Sequence, residues 1–200
     1  MVRNESTNNG KKMSHDDHDH FEKDYWGNCA NTFDEDQKHY VYAHYMELPQ
    51  IHYSFDAKNK RILDIGGGPS SMLLKCKNLA KGKVCDPLDY PEWTKLRYAS
   101  HNIDVQVIPG EEVDEEGWDE VWIYNCLQHV DSVERIINNA KRAAPVLRMF
   151  EWIDIPPHPG HPQMLTKAYL DNIIALPGSG TASLAERGCY GKAYYGVFRQ

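Results

Sequence analysis

Short apolar runs in this chain alternate with turn-forming breaks. Ile62, Leu63 and Ile65 follow the polar stretch Asp56-Ala57-Lys58-Asn59-Lys60 and stop at Gly66-Gly67-Gly68. They read as a buried strand that enters a tight glycine loop. Further strands are expected at residues 83–86, 103–108, 118–124 and 144–153, and a final pair at 181–185 and 191–198. Helical stretches fall between them: 70–76, 91–99, 133–144 with Asp131 or Ser132 at its head, and a helix that starts at Thr166 and stops before Pro177-Gly178. Ahead of the first strand, Thr32 stands three residues before Glu35, a capping-box spacing. That predicts a helix to about Met46, closed by Pro49, with Phe33, Tyr40, Val41, His44 and Tyr45 sharing much of one face.

Strands separated by helices predict parallel pairing through crossovers, with helices covering both faces of one sheet. The expected organisation is a tail over 1–20, a small helical cap over 21–57 and a sheet domain over 58–200. The tail is rich in Asn, Asp, Ser, Lys and His and has little to bury. His15, His18 and His20 within it read as solvated side chains. Two hundred residues, 41% of them apolar, are enough for one sizeable core. A net charge of −7 with no long basic run disfavours a nucleic-acid surface, and no nucleic-acid module is evident. No apolar run approaches the ~18–20 residues that cross a bilayer. The five cysteines are widely spaced and form no CxxC pair, which suits a reducing, cytoplasmic setting and provides no metal framework.

The glycine loop carries the most chemistry. Glycines turn sharply and leave no side chain in a ligand's way, and Pro69 suits the first turn of a following helix, whose N–H groups would favour an anion. Asp86, followed by Pro87, ends the next apolar segment twenty residues past Gly66. An acid placed there can accept hydrogen bonds from both ribose hydroxyls of a nucleoside cofactor. The pattern is Gly66-x-Gly68-x-x-Ser71, so the third glycine of the dinucleotide fingerprint is missing, and no Gly-Lys-Ser or Gly-Lys-Thr marks a P-loop.

With Asp64 two residues ahead of Gly66, the segment resembles motif I of class I S-adenosylmethionine-dependent methyltransferases. The resemblance covers about residues 58–199. It implies a Rossmann-like methyltransferase fold: a mostly parallel seven-stranded sheet, helices on both faces, a reversed last strand and a variable helical cap. It also implies S-adenosyl-L-methionine as cofactor, held by Asp64, Gly66, Gly67, Gly68, Asp86 and Pro87, with Glu111 beside the adenine and Asn125 and Cys126 on the cofactor side of the next strand end. His129 resembles the histidine that follows motif IV, and an imidazole of ordinary pKa ~6.5 suits a general base. Tyr25 and Trp26 of the cap, Trp152, and His158 and His161 on the proline-rich loop after the fifth strand suit an amphipathic small-molecule acceptor. Glu151 could orient a cationic acceptor or satisfy backbone groups at its strand end. The implied activity is methyl transfer, by a monomer or small homo-oligomer. A nicotinamide oxidoreductase would explain the loop and Asp86 but not Asp64 or the final hairpin, and no Tyr-x-x-x-Lys pair is present. A non-catalytic adenosylmethionine-binding or scaffold protein is the other alternative.

Overall fold

A computed structural model describes residues 23–26, 28–158, 160–186 and 188–200. The tail over 1–20, with its three histidines, lies outside the described residues. After a helical turn at 23–26, the elements are α1 (Cys29–Tyr45), β1 (Gln50–Ile51), β2 (Ser54–Ile65), β3 (Cys76–Asp86), α2 (Glu92–Ala99), β4 (Ile103–Val107), β5 (Glu120–Tyr124), α3 (Val133–Ala143), β6 (Val146–Ile153), α4 (Lys167–Ile174), β7 (Ser179–Glu186) and β8 (Cys189–Arg199). The sheet order is β4-β3-β2-β5-β6-β8-β7, with the short β1 paired to the start of β2. Strands β2 to β6 are parallel, and β8 runs antiparallel between β6 and β7. The expected reversed last strand is therefore present.

The central strands are apolar on both faces because both are covered. Leu63, Ile65, Val121, Ile123, Leu147 and Met149 pack against Val133, Ile136 and Ile137 of α3 and Leu170 and Ile174 of α4. Ile62, Trp122, Tyr124, Phe150 and Trp152 face the other way, toward Val41, Tyr42 and Met46 of α1. The caps of α3 and α4 are those the sequence implies: Ser132 Oγ accepts from the Arg135 N–H at 3.3 Å, and Thr166 Oγ1 from the Tyr169 N–H at 3.2 Å.

Three expectations are corrected. First, the helix expected at 70–76 is a single 3-10 turn, Met72–Lys75, and β3 starts at Cys76 instead of residue 83. The outer half of β3 pairs with the outer half of β2, Phe55 with Cys76 and Asp56 with Lys77. Strand pairing has taken residues whose local pattern is not strand-like. Second, the polar stretch 56–60 is no boundary turn. It lies inside β2 as an irregularity, with Lys58 and Asn59 at φ 51° and 55° and the register shifting on either side of Lys60. Strand β2 therefore begins at Ser54, ahead of residue 58.

Third, α1 starts earlier and buries a partly different face, with Val41 inward as expected and Tyr40 and Tyr45 packed at its edge. Its N-cap is Asn28, whose Oδ1 accepts from the Ala30 N–H at 2.9 Å, so Thr32 lies within the helix. Phe33 and His44 are exposed, while Glu35, His39, Tyr42 and Met46 face inward. At the far end of α1, Arg148 Nη1 donates to the carbonyls of Met46 and Glu47 at 2.5 and 3.3 Å. The same guanidinium forms a two-pronged pair with buried Glu120 at 2.8 and 3.1 Å, which Lys60 and the Trp122 indole N–H complete.

Candidate functional site

Parallel pairing brings the carboxyl ends of β2, β3 and β5 to one edge, and the predicted cofactor residues gather there. Gly66 has φ +77°, and a Cβ on it would lie 2.7 Å from both Cβ and Sγ of Cys126. The loop after β5 thus crosses directly against the loop after β2. A Cβ on Gly67 would come within 2.5 Å of Asp64 Oδ2. Gly68 also has positive φ, but a Cβ there would make only an ordinary contact, with Tyr90 Oη at 3.8 Å.

Asp64 is fully buried. Its Oδ2 accepts from Ser71 Oγ and, at 2.5 Å, from Tyr124 Oη, while Oδ1 has no hydrogen-bond partner. Burial pushes the carboxyl up to about 7 against those two hydroxyl bonds, with the charge of Asp86 adding to the rise. Asp86 itself closes the loop: its carboxylate accepts from the Gly68 N–H at 3.1 Å, the Leu88 N–H at 3.0 Å and Tyr90 Oη at 3.2 Å. Pro87 follows it and is exposed.

The expected anion-binding helix start is not available. The Ser71 N–H donates to Tyr98 Oη at 2.8 Å, the Met72 N–H to Tyr124 Oη at 3.0 Å and the Leu73 N–H to Ser71 Oγ at 3.0 Å. Tyr98 Oη in turn donates to the Gly68 carbonyl at 2.7 Å. A one-turn helix leaves these groups to side chains from α2 and β5.

On the neighbouring strand ends, Asn125 has φ 49° and links two elements. Its Nδ2 donates to Glu35 Oε1 of α1 at 2.9 Å, and its Oδ1 accepts from Gln128 Nε2 at 3.1 Å. Glu35 also accepts from Tyr42 Oη at 2.9 Å and pairs with Lys38 at 3.1 Å. Cys126 Sγ lies 3.5 Å from the Ile65 carbonyl, and burial, then the charge of Glu151, pushes its thiol pKa well up. Glu151 has no exposed surface and accepts the N–H groups of Cys126 and Leu127, all at 3.2 Å. Of its two anticipated roles, this is the backbone one. Trp152 is likewise a core residue, 9% exposed and edge-on to Phe150 at 5.2 Å, so it offers an acceptor little surface.

Glu111 sits in the 3-10 turn Gly110–Glu112, where Oε1 accepts from the Ser132 N–H at 2.9 Å at the head of α3. Tyr25 and Trp26 contact each other edge-on at 5.1 Å, and the Tyr25 carbonyl accepts from Asn31 Nδ2 at 2.9 Å, tying the pair to the start of α1. His129 comes together with the proline-rich loop: its ring lies 4.6 Å from that of His161, which lies 4.2 Å from that of His158. His158 and His161 face each other through paired backbone hydrogen bonds of 3.1 and 2.8 Å.

Sequence reasoning missed Glu35 as a site residue because it reads as a helix-start acid, and missed the hydroxyls of Tyr98 and Tyr124 because tyrosines at those positions read as packing. Only their partners reveal their role.

Glu151 carries a pH consequence. Burial outweighs its two backbone donors and pushes it up to about 8. The stability it contributes is fully present below the ordinary glutamate range and is lost as pH rises through 8. With Asp64 acting in the same direction, the unligated protein is expected to be less stable at pH 8.5 than at pH 5 in urea titrations. Glu151→Gln keeps an acceptor for the backbone and should remove a large part of that difference. An unchanged difference would show that Glu151 does not titrate in this window.

No protein-family model matches the sequence, and no curated protein matches it. Solved structures do match. The mitomycin 7-O-methyltransferase MmcR is 16% identical with a TM-score of 0.54 over 80% of this chain, which spans only 53% of that one. A Haloferax volcanii complex of a methyltransferase activator with a putative methyltransferase matches at 12% identity and a TM-score of 0.61, covering 90% of this chain and 96% of that one. Geranyl diphosphate C-methyltransferase from Streptomyces coelicolor A3(2), solved with Mg2+, geranyl diphosphate and S-adenosyl-L-homocysteine, is 9% identical with a TM-score of 0.59, covering 82% and 79%. At these identities the likeness is one of fold. The chain has a Rossmann-like class I methyltransferase fold.

Proposed function

We propose that this chain transfers a methyl group from S-adenosyl-L-methionine to a small-molecule acceptor. The observation that carries the reading is the meeting of Asp64, the glycine loop and Asp86 at one edge of a parallel sheet with this strand order. The residues fit the cofactor. Asp64 Oδ1 is buried without a partner and suits an ammonium group. Gly68 puts no side chain between the loop backbone and a ligand. Asp86 takes the ribose hydroxyls, with the Tyr90 hydroxyl turning aside from its place on the carboxylate. Gly110 and Glu111 lie on the adenine side, and Asn125 and Cys126 line the wall nearest the reacting methyl.

When bound, the cofactor supplies an electrophilic methyl group on a sulfonium. The chain's own task is to align the acceptor and exclude water. His129 accepts a proton where the acceptor must lose one, and His158 and His161 beside it orient a hydroxyl or amine. Structurally similar proteins include an O- and a C-methyltransferase, so the fold by itself does not select the acceptor atom. The acidic net charge favours a small molecule over a polyanion. No described helix is long and apolar enough to cross a membrane.

Calorimetric titration with adenosylmethionine, adenosylhomocysteine and the nicotinamide dinucleotides tests the reading. The adenosyl ligands should bind. In buffers of different ionisation enthalpy they should also release protons at pH 6, with the release gone by pH 9, because the ligand's ammonium group ionises Asp64 from its raised value of about 7. Asp86→Ala should weaken binding at least tenfold, since each lost hydrogen bond to a charged group is worth about 1.5–3 kcal/mol. Preference for a nicotinamide dinucleotide with no adenosyl signal would overturn the proposal.

A further inference from the structure

Three features of α1 and the loop beneath it do not suit packing alone. His39, on α1, is 1% exposed and neither ring nitrogen has a hydrogen-bond partner. Its closest carboxylate, Asp36 Oδ1, stands 3.9 Å from Nδ1, beyond hydrogen-bonding reach. The ring stands edge-on to Tyr124 at 6.0 Å, and Tyr124 is the residue whose hydroxyl holds Asp64. Two buried polar groups without partners, the His39 imidazole and Asp64 Oδ1, therefore flank one tyrosine.

A buried imidazole with nothing to bond is destabilising, and an apolar side chain of similar size would relieve it. Such a group is retained where a ligand supplies the partner. The ring is also neutral: burial, then the charges of Lys75 and Lys38, hold its pKa well below the ordinary value. Neutral, it presents one N–H donor, and the two nearby ammonium groups are paired with carboxylates, Lys75 with Asp36 and Lys38 with Glu35, each at 3.1 Å. The position where this fold would offer helix N–H groups to an anion is closed, because the Ser71, Met72 and Leu73 amides are bonded to Tyr98, Tyr124 and Ser71.

We propose that His39 is a cofactor-binding residue, whose ring N–H receives the carboxylate of the cofactor's amino-acid end while Asp64 takes its ammonium group. This inference rests on the adenosylmethionine reading above. It makes α1 part of the cofactor site, so that binding tightens the docking of the helix on the sheet.

The test compares two ligands that share the adenosine and the sulfur: adenosylhomocysteine, which has the amino-acid end, and 5′-methylthioadenosine, which lacks it. Calorimetry is run on wild type, His39→Leu and His39→Gln. His39→Leu should bind adenosylhomocysteine about 10- to 100-fold more weakly, the factor for a lost hydrogen bond to a charged group. It should bind methylthioadenosine as wild type does and melt at the same temperature or higher. His39→Gln, which keeps an N–H donor, should recover part of the loss and serves alone if the leucine variant does not fold. Equal weakening toward both ligands, or unchanged affinity for adenosylhomocysteine, would overturn the role of His39 while the cofactor reading stands. Wild type that binds neither ligand would overturn both.

Discussion

Glu120→Gln is expected to destabilise the protein by about 3–5 kcal/mol, because it leaves the buried guanidinium of Arg148 without its countercharge. Both side chains are nearly inaccessible, at 2% and 9% exposure. The pair is well made, with two N–H to carboxylate bonds, Lys60 on the same carboxylate and the Trp122 indole completing it. Arg148 also donates to the carbonyls of Met46 and Glu47, the two residues that follow α1, so the loss should loosen the helix that carries Glu35 and His39. Burial raises the Glu120 carboxyl, but the hydrogen bonds and charge of Arg148, then Lys60 and Trp122, outweigh it and hold the group at about 2. A depressed acid contributes stability that is present above its ordinary range and lost as pH falls through its folded value. The gap between wild type and Glu120→Gln should therefore be full at pH 6 and shrink between about pH 4.5 and 2. Denaturant titrations across that range would measure it. A double variant, Glu120→Leu with Arg148→Met, should be less destabilised than the sum of the single changes. Full additivity would show that the two residues do not act as a pair.

Gly66→Ala should have a comparable effect and also abolish most cofactor binding. The added methyl meets Cys126 at 2.7 Å, and overpacking of this kind typically costs about 1–3 kcal/mol. The left-handed backbone at φ +77° adds roughly 1–2 kcal/mol for a residue with a Cβ. The relief available to the chain is to move the loop after β2 away from the loop after β5, which separates the two walls of the proposed site. Gly68→Ala is the informative comparison. It has a similar φ but no clash, a Cβ meeting only Tyr90 Oη at 3.8 Å, so only the backbone part of the penalty applies. Thermal unfolding of both variants, with Gly66→Ala in a Cys126→Gly background, separates the two contributions. If Gly66→Ala is no worse than Gly68→Ala, the close crossing at Cys126 is not what requires glycine at 66.

Much of this architecture is written locally. The apolar runs at the ends of β2 and β3, and those of β4, β5 and β6, are readable from the sequence, as are the helices that flank β6, whose caps are Ser132 and Thr166. Short-range periodicity and capping determine these elements, and their order implies parallel pairing. The glycine loop and the two acids that frame it, Asp64 and Asp86, were legible for the same reason: each is defined by its spacing from a strand end. What only the tertiary structure decided involves polar groups whose partners lie far along the chain. The outer halves of β2 and β3 are polar and become strands by pairing with each other. Glu35 resembles a helix-start acid until Asn125, ninety residues away, bonds to it. The His129, His158 and His161 rings meet only because parallel strands β5 and β6 end at the same sheet edge. The inward face of α1 could not be read from hydrophobicity, since Glu35 and His39 are among the residues it buries. A local pattern reports which residues avoid water. Which polar residues leave water depends on the partner that the fold delivers to them.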